Sequence, residues 1–290
     1  MGFDMAGKTV TGGAAPGMAA RNLNDAAAGK ARMGRVDLIG AGPGDAELLT
    51  LRALRLLQQA DVVVHDRLVS DEVMACIPAH VRRIPVGKAA GFHPVPQDEI
   101  NALLVELALS GLAVARLKGG DPTIFGRGGE EFEAVTRAGI PCDYVPGITA
   151  AQGAAASARF PLTHRGLATG LRHVTGHRAR DAALDLDWAS LADPKTTLAV
   201  YMGAANMAEI AAQLIRHGMP ADLPVLAVSQ ASTPQERRLR ATLSGIAAAL
   251  AREPLPAPVL FIVGHVAAMA EDCALPQGLY RPEWRLVAHG

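Results

Sequence analysis

Asp121, Arg127 and Glu130 are three charged residues within one glycine-rich stretch, with glycines at 119, 120, 126, 128 and 129. Glycine exposes backbone amides without a side chain in the way. A guanidinium grips a carboxylate through two parallel hydrogen bonds and never loses its charge. Asp121, Arg127 and Glu130 are the charged groups placed to face a ligand bound at this loop. Five glycines within eleven residues are more than a plain strand-to-helix turn needs. A loop of this kind on a rigid scaffold is a natural place for function.

The elements around the loop must hold it. Leu112 to Leu117 is a short apolar run, read as a buried strand. Glu130, Glu131 and Glu133 suit the first turn of a helix and predict a start near Glu130. Strand, glycine loop and helix present ligand sites at the strand ends of parallel α/β sheets.

Upstream, Val36 to Ile39 and Val62 to Val64 read as buried strands, and 83–88 as a short strand and turn. The stretch from Leu48 to Ala60 predicts an amphipathic helix with Leu48, Leu51, Leu54, Leu56 and Leu57 toward the sheet. Gln97 to Ser110 reads as a helix, and the residues after Cys142 as an edge strand. Five such units predict a mostly parallel sheet with right-handed crossovers. An Ala-rich helix starts near Thr149, which is placed to cap it or to bond a ligand. Phe160 to Gly170 reads as a linker.

The second half alternates strands at 171–175, 197–202, 225–229, 237–242 and 259–263 with helices at 207–217 and 246–252. This predicts a smaller α/β domain with some antiparallel pairing. The expected organisation is a disordered extension at 1–33, α/β domains at 34–147 and 148–275, and a tail at 276–290. The extension lacks the apolar core of a secretory signal.

Lys+Arg and Asp+Glu both total 28. No net charge draws the chain to nucleic acid or to an anionic membrane, so neither is expected as a partner. Cys76, Cys142 and Cys273 are far apart, which argues against a disulfide framework or a cysteine metal site and fits the cytoplasm. His173 and His177 are four apart, but on a strand and turn that spacing does not converge, and no metal is expected. Gly40-Ala-Gly-Pro-Gly-Asp45 has Asp where a dinucleotide fingerprint needs its third glycine, and Pro43 lacks an amide donor. A nucleotide-dependent oxidoreductase is disfavoured. The nucleophile elbow and the P-loop are absent from the sequence.

The motifs together resemble the tetrapyrrole methylases. They are Gly40-Ala-Gly-Pro-Gly-Asp45, His65-Asp-Arg-Leu-Val-Ser70, Gly119-Gly-Asp-Pro-Thr-Ile-Phe-Gly-Arg-Gly-Gly-Glu-Glu131, Pro146-Gly-Ile-Thr-Ala150, Thr163-His-Arg165, Thr175-Gly-His177 and Tyr201-Met-Gly203. They span about residues 35 to 270, and the long glycine motif is the most specific. Ala89 departs from the pattern, where Arg is expected.

The resemblance implies two α/β domains, an N-terminal mostly parallel sheet and a C-terminal mixed one, with the active site in the interdomain cleft of a homodimer. It implies S-adenosylmethionine as methyl donor, S-adenosylhomocysteine as its product, and uroporphyrinogen III as acceptor. Methylation at C2 and C7 would give precorrin-2 for sirohaem, cobalamin or haem d1, with no added dehydrogenation or ferrochelation domain. The implied cofactor positions are Pro43, Gly119, Gly120, Asp121, Ile124, Thr149, Ala150, Met202 and Ala231. The implied substrate positions are Arg67, Arg127, Glu130, Arg165 and Met202, with Arg127 and Glu130 as the catalytic candidates.

Overall fold

The computed structural model describes residues 33–87, 95–177 and 184–271. Ala89, Cys273, the first 32 residues and the 276–290 tail lie outside them. The first half runs β1 (Arg35–Gly40), α1 (Leu51–Gln59), β2 (Val62–His65), α2 (Asp71–Ala75), β3 (Arg82–Pro85), α3 (Gln97–Leu109), β4 (Ala113–Lys118), α4 (Gly128–Arg137) and β5 (Cys142–Val145). Its five strands form one sheet in the order β3-β2-β4-β1-β5, and every pairing is parallel. Both faces are covered. Ile39, Val63, Ala115 and Leu117 pack with Leu56 and Leu57 of α1 and Val73 of α2. The alternate residues Leu38, Val62, Val64 and Val114 pack with Leu104 of α3 and Val135 of α4. Burial on both faces is why β2 reads as an unbroken apolar run.

The second half runs α5 (Ala150–Ser157), β6 (Gly170–Thr175), α6 (Trp188–Leu191), β7 (Thr196–Tyr201), α7 (Met207–Arg216), β8 (Pro224–Ser229), β9 (Arg237–Thr242), α8 (Ile246–Arg252) and β10 (Val259–Val263). These strands form a second sheet in the order β6-β7-β10-β8-β9. β6 and β7 pair in parallel, and the remaining pairs are antiparallel. Leu198, Val200 and Phe261 face α7 and α8 on one side. Ala199, Leu226, Leu260 and Ile262 meet the alanines of α5 on the other. Small residues let α5 lie close against that face.

Three local expectations change. Leu51 is 87% exposed and leaves the apolar face of α1, because the buried face of the helix runs through Ala53, Leu56 and Leu57 and position 51 lies off it. The expected helical start at Leu48 is a separate 3-10 turn, Ala46–Leu48, capped by Asp45. The helix after the glycine loop begins at Gly128, two residues earlier than Glu130.

Candidate active site

The parallel sheet ends at Gly40 on β1 and Lys118 on β4, which are neighbours. The two loops that follow are tied together, Gly42 N to Gly120 O at 3.1 Å and Gly120 N to Gly42 O at 2.7 Å. A third backbone joins them at Gly147. A Cβ on Gly147 would sit 2.2 Å from Gly120 O, and one on Gly40 would sit 2.6 Å from Gly147 N. Only glycine permits three chains to touch this closely. Asp121 fixes the junction. Its Oδ2 accepts from Gly147 N at 2.9 Å, and its Oδ1 accepts from Thr123 N at 2.7 Å and from the Thr123 hydroxyl. The carboxylate thus shapes the loop from beneath.

Beyond Asp121 the loop takes left-handed backbone at Phe125 (φ 51°) and Arg127 (φ 55°). Gly128 must be glycine, since a Cβ there would lie 2.3 Å from Pro122 O. The Arg127 side chain turns onto Glu130, with Nε to Oε1 at 2.8 Å and Nη2 to Oε2 at 2.7 Å. That hydrogen bond holds the Glu130 carboxyl below the usual carboxylate range.

The facing wall comes from the second sheet. Tyr201 ends β7, and its hydroxyl meets Thr149 Oγ1 at 2.7 Å, Ala151 N at 3.2 Å and His173 Nδ1 at 3.3 Å. Thr149 therefore makes no side-chain cap on α5; Tyr201 satisfies the helix terminus instead. Burial pushes the Tyr201 phenol up and the His173 imidazole down, so both stay neutral near pH 7. Phe125 tilts against Tyr201 with ring centroids 5.2 Å apart. Met202, in left-handed backbone at φ 54°, is half exposed at the lip. The Pro43 ring lies over Gly153, where a Cβ would come within 2.6 Å of it.

Between these walls is a cleft of about 340 Å³. Pro43, Gly119, Gly120, Asp121 and Ile124 line it from the first half, and Thr149, Ala150, Met202 and Ala231 from the second. Arg127 lines it too, while Glu130, Arg67 and Arg165 lie outside the lining. Arg67 and Arg165 are exposed. Arg67 sits on a turn pressed against Gly87, and Arg165 sits in the tight turn closed by the His164–Ala168 bridge. His173 lies on β6 and the exposed His177 follows it; among the described residues no His, Cys, Asp or Glu cluster can hold a metal.

Sequence reasoning missed the floor of the cleft. Arg116 and Lys118, both on β4, are buried there with Asp66 and Gln97 beside them. Arg116 donates to Asp66 Oδ1 at 2.6 Å, and its Nε and Nη2 donate to Glu131 Oε1, each at 3.1 Å. Lys118 Nζ donates to the same Glu131 oxygen at 2.7 Å, and Gln97 Nε2 at 3.2 Å. The other oxygen, Oε2, is buried with no partner. Burial pushes the Lys118 ammonium down, helped by the adjacent Arg116 cation and opposed by Glu131 and Asp66. Glu131, expected only as a first-turn helix carboxylate, is thus a buried counter-ion. The available signal was Arg116, a cation inside an apolar run, which needs a partner if that run is buried.

A family model described as Tetrapyrrole (Corrin/Porphyrin) Methylases matches residues 35–247. A relative from Paracoccus denitrificans (strain Pd 1222), named uroporphyrinogen-III C-methyltransferase, is 91% identical over 99% of this chain and 100% of its own length. A siroheme synthase from Azotobacter vinelandii is 51% identical over 85% of this chain, and the match spans 53% of that longer protein. A solved uroporphyrin-III C-methyl transferase from Thermus thermophilus, complexed with S-adenyl homocysteine, is 43% identical with a TM-score of 0.71. It covers 81% of this chain and 100% of its own.

Proposed function

This chain belongs to the tetrapyrrole (corrin/porphyrin) methylases, and from that premise we propose that it methylates carbons C2 and C7 of uroporphyrinogen III, giving precorrin-2. The observation that carries the reading is the convergence of nine candidate cofactor positions, from both halves of the chain, on one cleft with Arg127 at its side. The residues fit S-adenosylmethionine. The cleft is within the usual range for small-molecule sites, about 300–1,000 Å³. It offers bare backbone at Gly119 and Gly120 and apolar contact from Ile124, Met202 and Ala231. The donor, when bound, supplies a methyl group already activated on a sulfonium.

The chain's own task is then chiefly positioning. Orientation of two reactants can supply a large share of a rate enhancement. The glycine loop and the Thr149–Ala150 terminus hold the donor. Arg67, Arg127 and Arg165 engage acceptor carboxylates, because a guanidinium offers a charged planar fork. Met202 packs at the lip against the acceptor. Glu130 orients Arg127, and the pair serves the proton that must leave the macrocycle.

The same reading takes the chain as a cytoplasmic homodimer, which the family resemblance and the free, half-buried Cys76 and Cys142 support. No helix among the described residues is long and apolar enough to cross a membrane. Sirohaem, cobalamin and haem d1 synthesis are the routes that the product would feed; the siroheme synthase likeness favours the first.

Anaerobic incubation with uroporphyrinogen III and S-adenosylmethionine tests the assignment. Two successive methyl additions in the product mass, with the dipyrrocorphin-type chromophore, are expected. Unchanged acceptor with intact donor would overturn it.

A further inference from the structure

His173 reaches the cleft only through another side chain. It lies half-buried on β6, outside the cleft lining, while Tyr201 and Thr149 both line it. Nδ1 of His173 stands 3.3 Å from the Tyr201 hydroxyl, and the two rings stack with centroids 5.5 Å apart. The same hydroxyl meets Thr149 Oγ1 at 2.7 Å and Ala151 N at 3.2 Å.

A hydroxyl has one proton to donate and two lone pairs with which to accept. Ala151 N–H is a donor, so it takes one lone pair of Tyr201. The proton and the other lone pair are left for Thr149 and His173. For all three bonds to hold at once, one of these two partners must donate to Tyr201 and the other must accept. Burial pushes the His173 imidazole down, so it is neutral near pH 7 and its Nδ1 can take either part. Whichever part Nδ1 takes, it dictates which way the Thr149 hydroxyl points.

The cleft decides between the two arrangements. Thr149 stands just before the first turn of α5 and makes no side-chain bond to it. A helix N-terminus favours an anion. The one anionic group of S-adenosylmethionine at neutral pH is its α-carboxylate. To meet a carboxylate, Thr149 must donate. It then accepts from Tyr201, and Tyr201 accepts from His173. We propose that His173, with its proton on Nδ1, is a positioning residue that aligns the Tyr201 and Thr149 hydroxyls toward the carboxylate of the methyl donor. Hydrogen bonds that run in one direction polarise and strengthen one another. The proposal rests on the methyl-transfer reading and adds the residue that sets the polarity of one donor contact.

Calorimetry with two ligands tests it. S-adenosylhomocysteine carries the carboxylate, and its decarboxylated analogue does not. Both are titrated into wild type, His173→Leu and His173→Asn, with melting temperatures recorded alongside. His173→Leu is expected to bind S-adenosylhomocysteine about 10-fold more weakly, the scale of one hydrogen bond to a charged group. Its affinity for the decarboxylated analogue should match that of wild type. An asparagine amide can donate in place of Nδ1, so His173→Asn should recover most of the loss. Equal losses for the two ligands, unchanged S-adenosylhomocysteine affinity in His173→Leu, or an asparagine variant as weak as the leucine one would overturn the role. If His173→Leu does not fold, nitrogen NMR of wild-type protein with S-adenosylhomocysteine decides it. A proton on Nδ1 of His173 is expected, and a proton on Nε2 alone would overturn the proposal. Wild-type protein that binds no S-adenosylhomocysteine would overturn the methyl-transfer reading and this role with it; wild-type binding with unselective losses would overturn the role of His173 alone.

Discussion

Arg127 and Glu130 form a two-pronged ion pair on the exposed side of the glycine loop, Nε to Oε1 at 2.8 Å and Nη2 to Oε2 at 2.7 Å. Both side chains are about half exposed, 56% and 52%. An exposed pair of this kind stabilises a fold by only about 0–1 kcal/mol. Its consequence is geometric. Arg127 stands in left-handed backbone at the start of α4, and Glu130, one turn on, fixes the plane of its fork. The same bond favours ionised Glu130, the form that orients the guanidinium and can still accept a proton.

Arg127→Lys is expected to fold normally and to keep S-adenosylhomocysteine affinity. It keeps the charge and loses the two-pronged geometry, so the acceptor sits wrongly against the methyl group. A misplacement of about 1 Å can cost on the order of 100-fold in rate. The steady-state rate of product formation, measured beside cofactor affinity, checks this. Wild-type turnover would reject the role, and lost cofactor affinity would assign Arg127 to the other side of the cleft.

Much of this was legible in the chain itself. Apolar runs such as Val62–Val63–Val64 marked strands covered on both faces, and the glycine spacing at 119–129 marked the loop. Side-chain pairing across long sequence separations was not legible. Glu131 meets Arg116 and Gln97 only because α3, α4 and β4 pack together. Thr149 read as a cap or a ligand contact, and local pattern cannot reveal Tyr201, 52 residues away, at that helix terminus. Leu51 read as a core residue because a run rich in leucine leaves the exact face open, and the buried one passes through Ala53, Leu56 and Leu57 instead. Short α2, capped by Ser70, was missed because five residues hold too little periodicity to register.

Tyr201→Phe removes one hydroxyl that touches Thr149, Ala151 and His173. The ring still fills its place against Phe125. The lost partners should cost about 1–3 kcal/mol, the penalty for buried polar groups left unmade. Thr149 and Ala150 line the cleft, so cofactor affinity should fall with stability. Paired denaturant titration and S-adenosylhomocysteine calorimetry check both. A variant with unchanged stability and affinity would show that the hydroxyl carries neither.

Two glycines in the same region should respond in opposite directions. Gly147→Ala places a Cβ 2.2 Å from Gly120 O, where only backbone can give way. Overpacking should cost at least about 1–3 kcal/mol and displace the floor of the cleft. Gly129 lies in the first turn of α4, with nothing within 4 Å of an added Cβ. Gly129→Ala should stabilise by about 0.4–1 kcal/mol by restricting the unfolded chain. Melting curves of both variants decide it, and a destabilised Gly129→Ala would mean that the loop needs that flexibility.

Asp37 is a buried carboxylate in the middle of β1. Burial raises its pKa most, the Arg35 cation at 3.2 Å opposes that, and Asp143, its register partner on β5, raises it again. The folded protein therefore holds this proton to a higher pH than the unfolded chain does. Where the native state binds more protons, stability falls as pH rises. The contribution of protonated Asp37 is complete below the ordinary aspartate range and is lost as pH climbs through the raised folded value. Above that raised value the side chain is a buried anion, supported by a half-exposed arginine. Asp37→Asn keeps the shape and removes that anion. The variant should melt higher than wild type at pH 7, and the gap should close as the solution is acidified through the folded pKa. Melting temperatures of both proteins between acid and neutral pH test this. A variant that melts lower at pH 7, or a gap constant with pH, would show that the Arg35 pair outweighs the cost of burial.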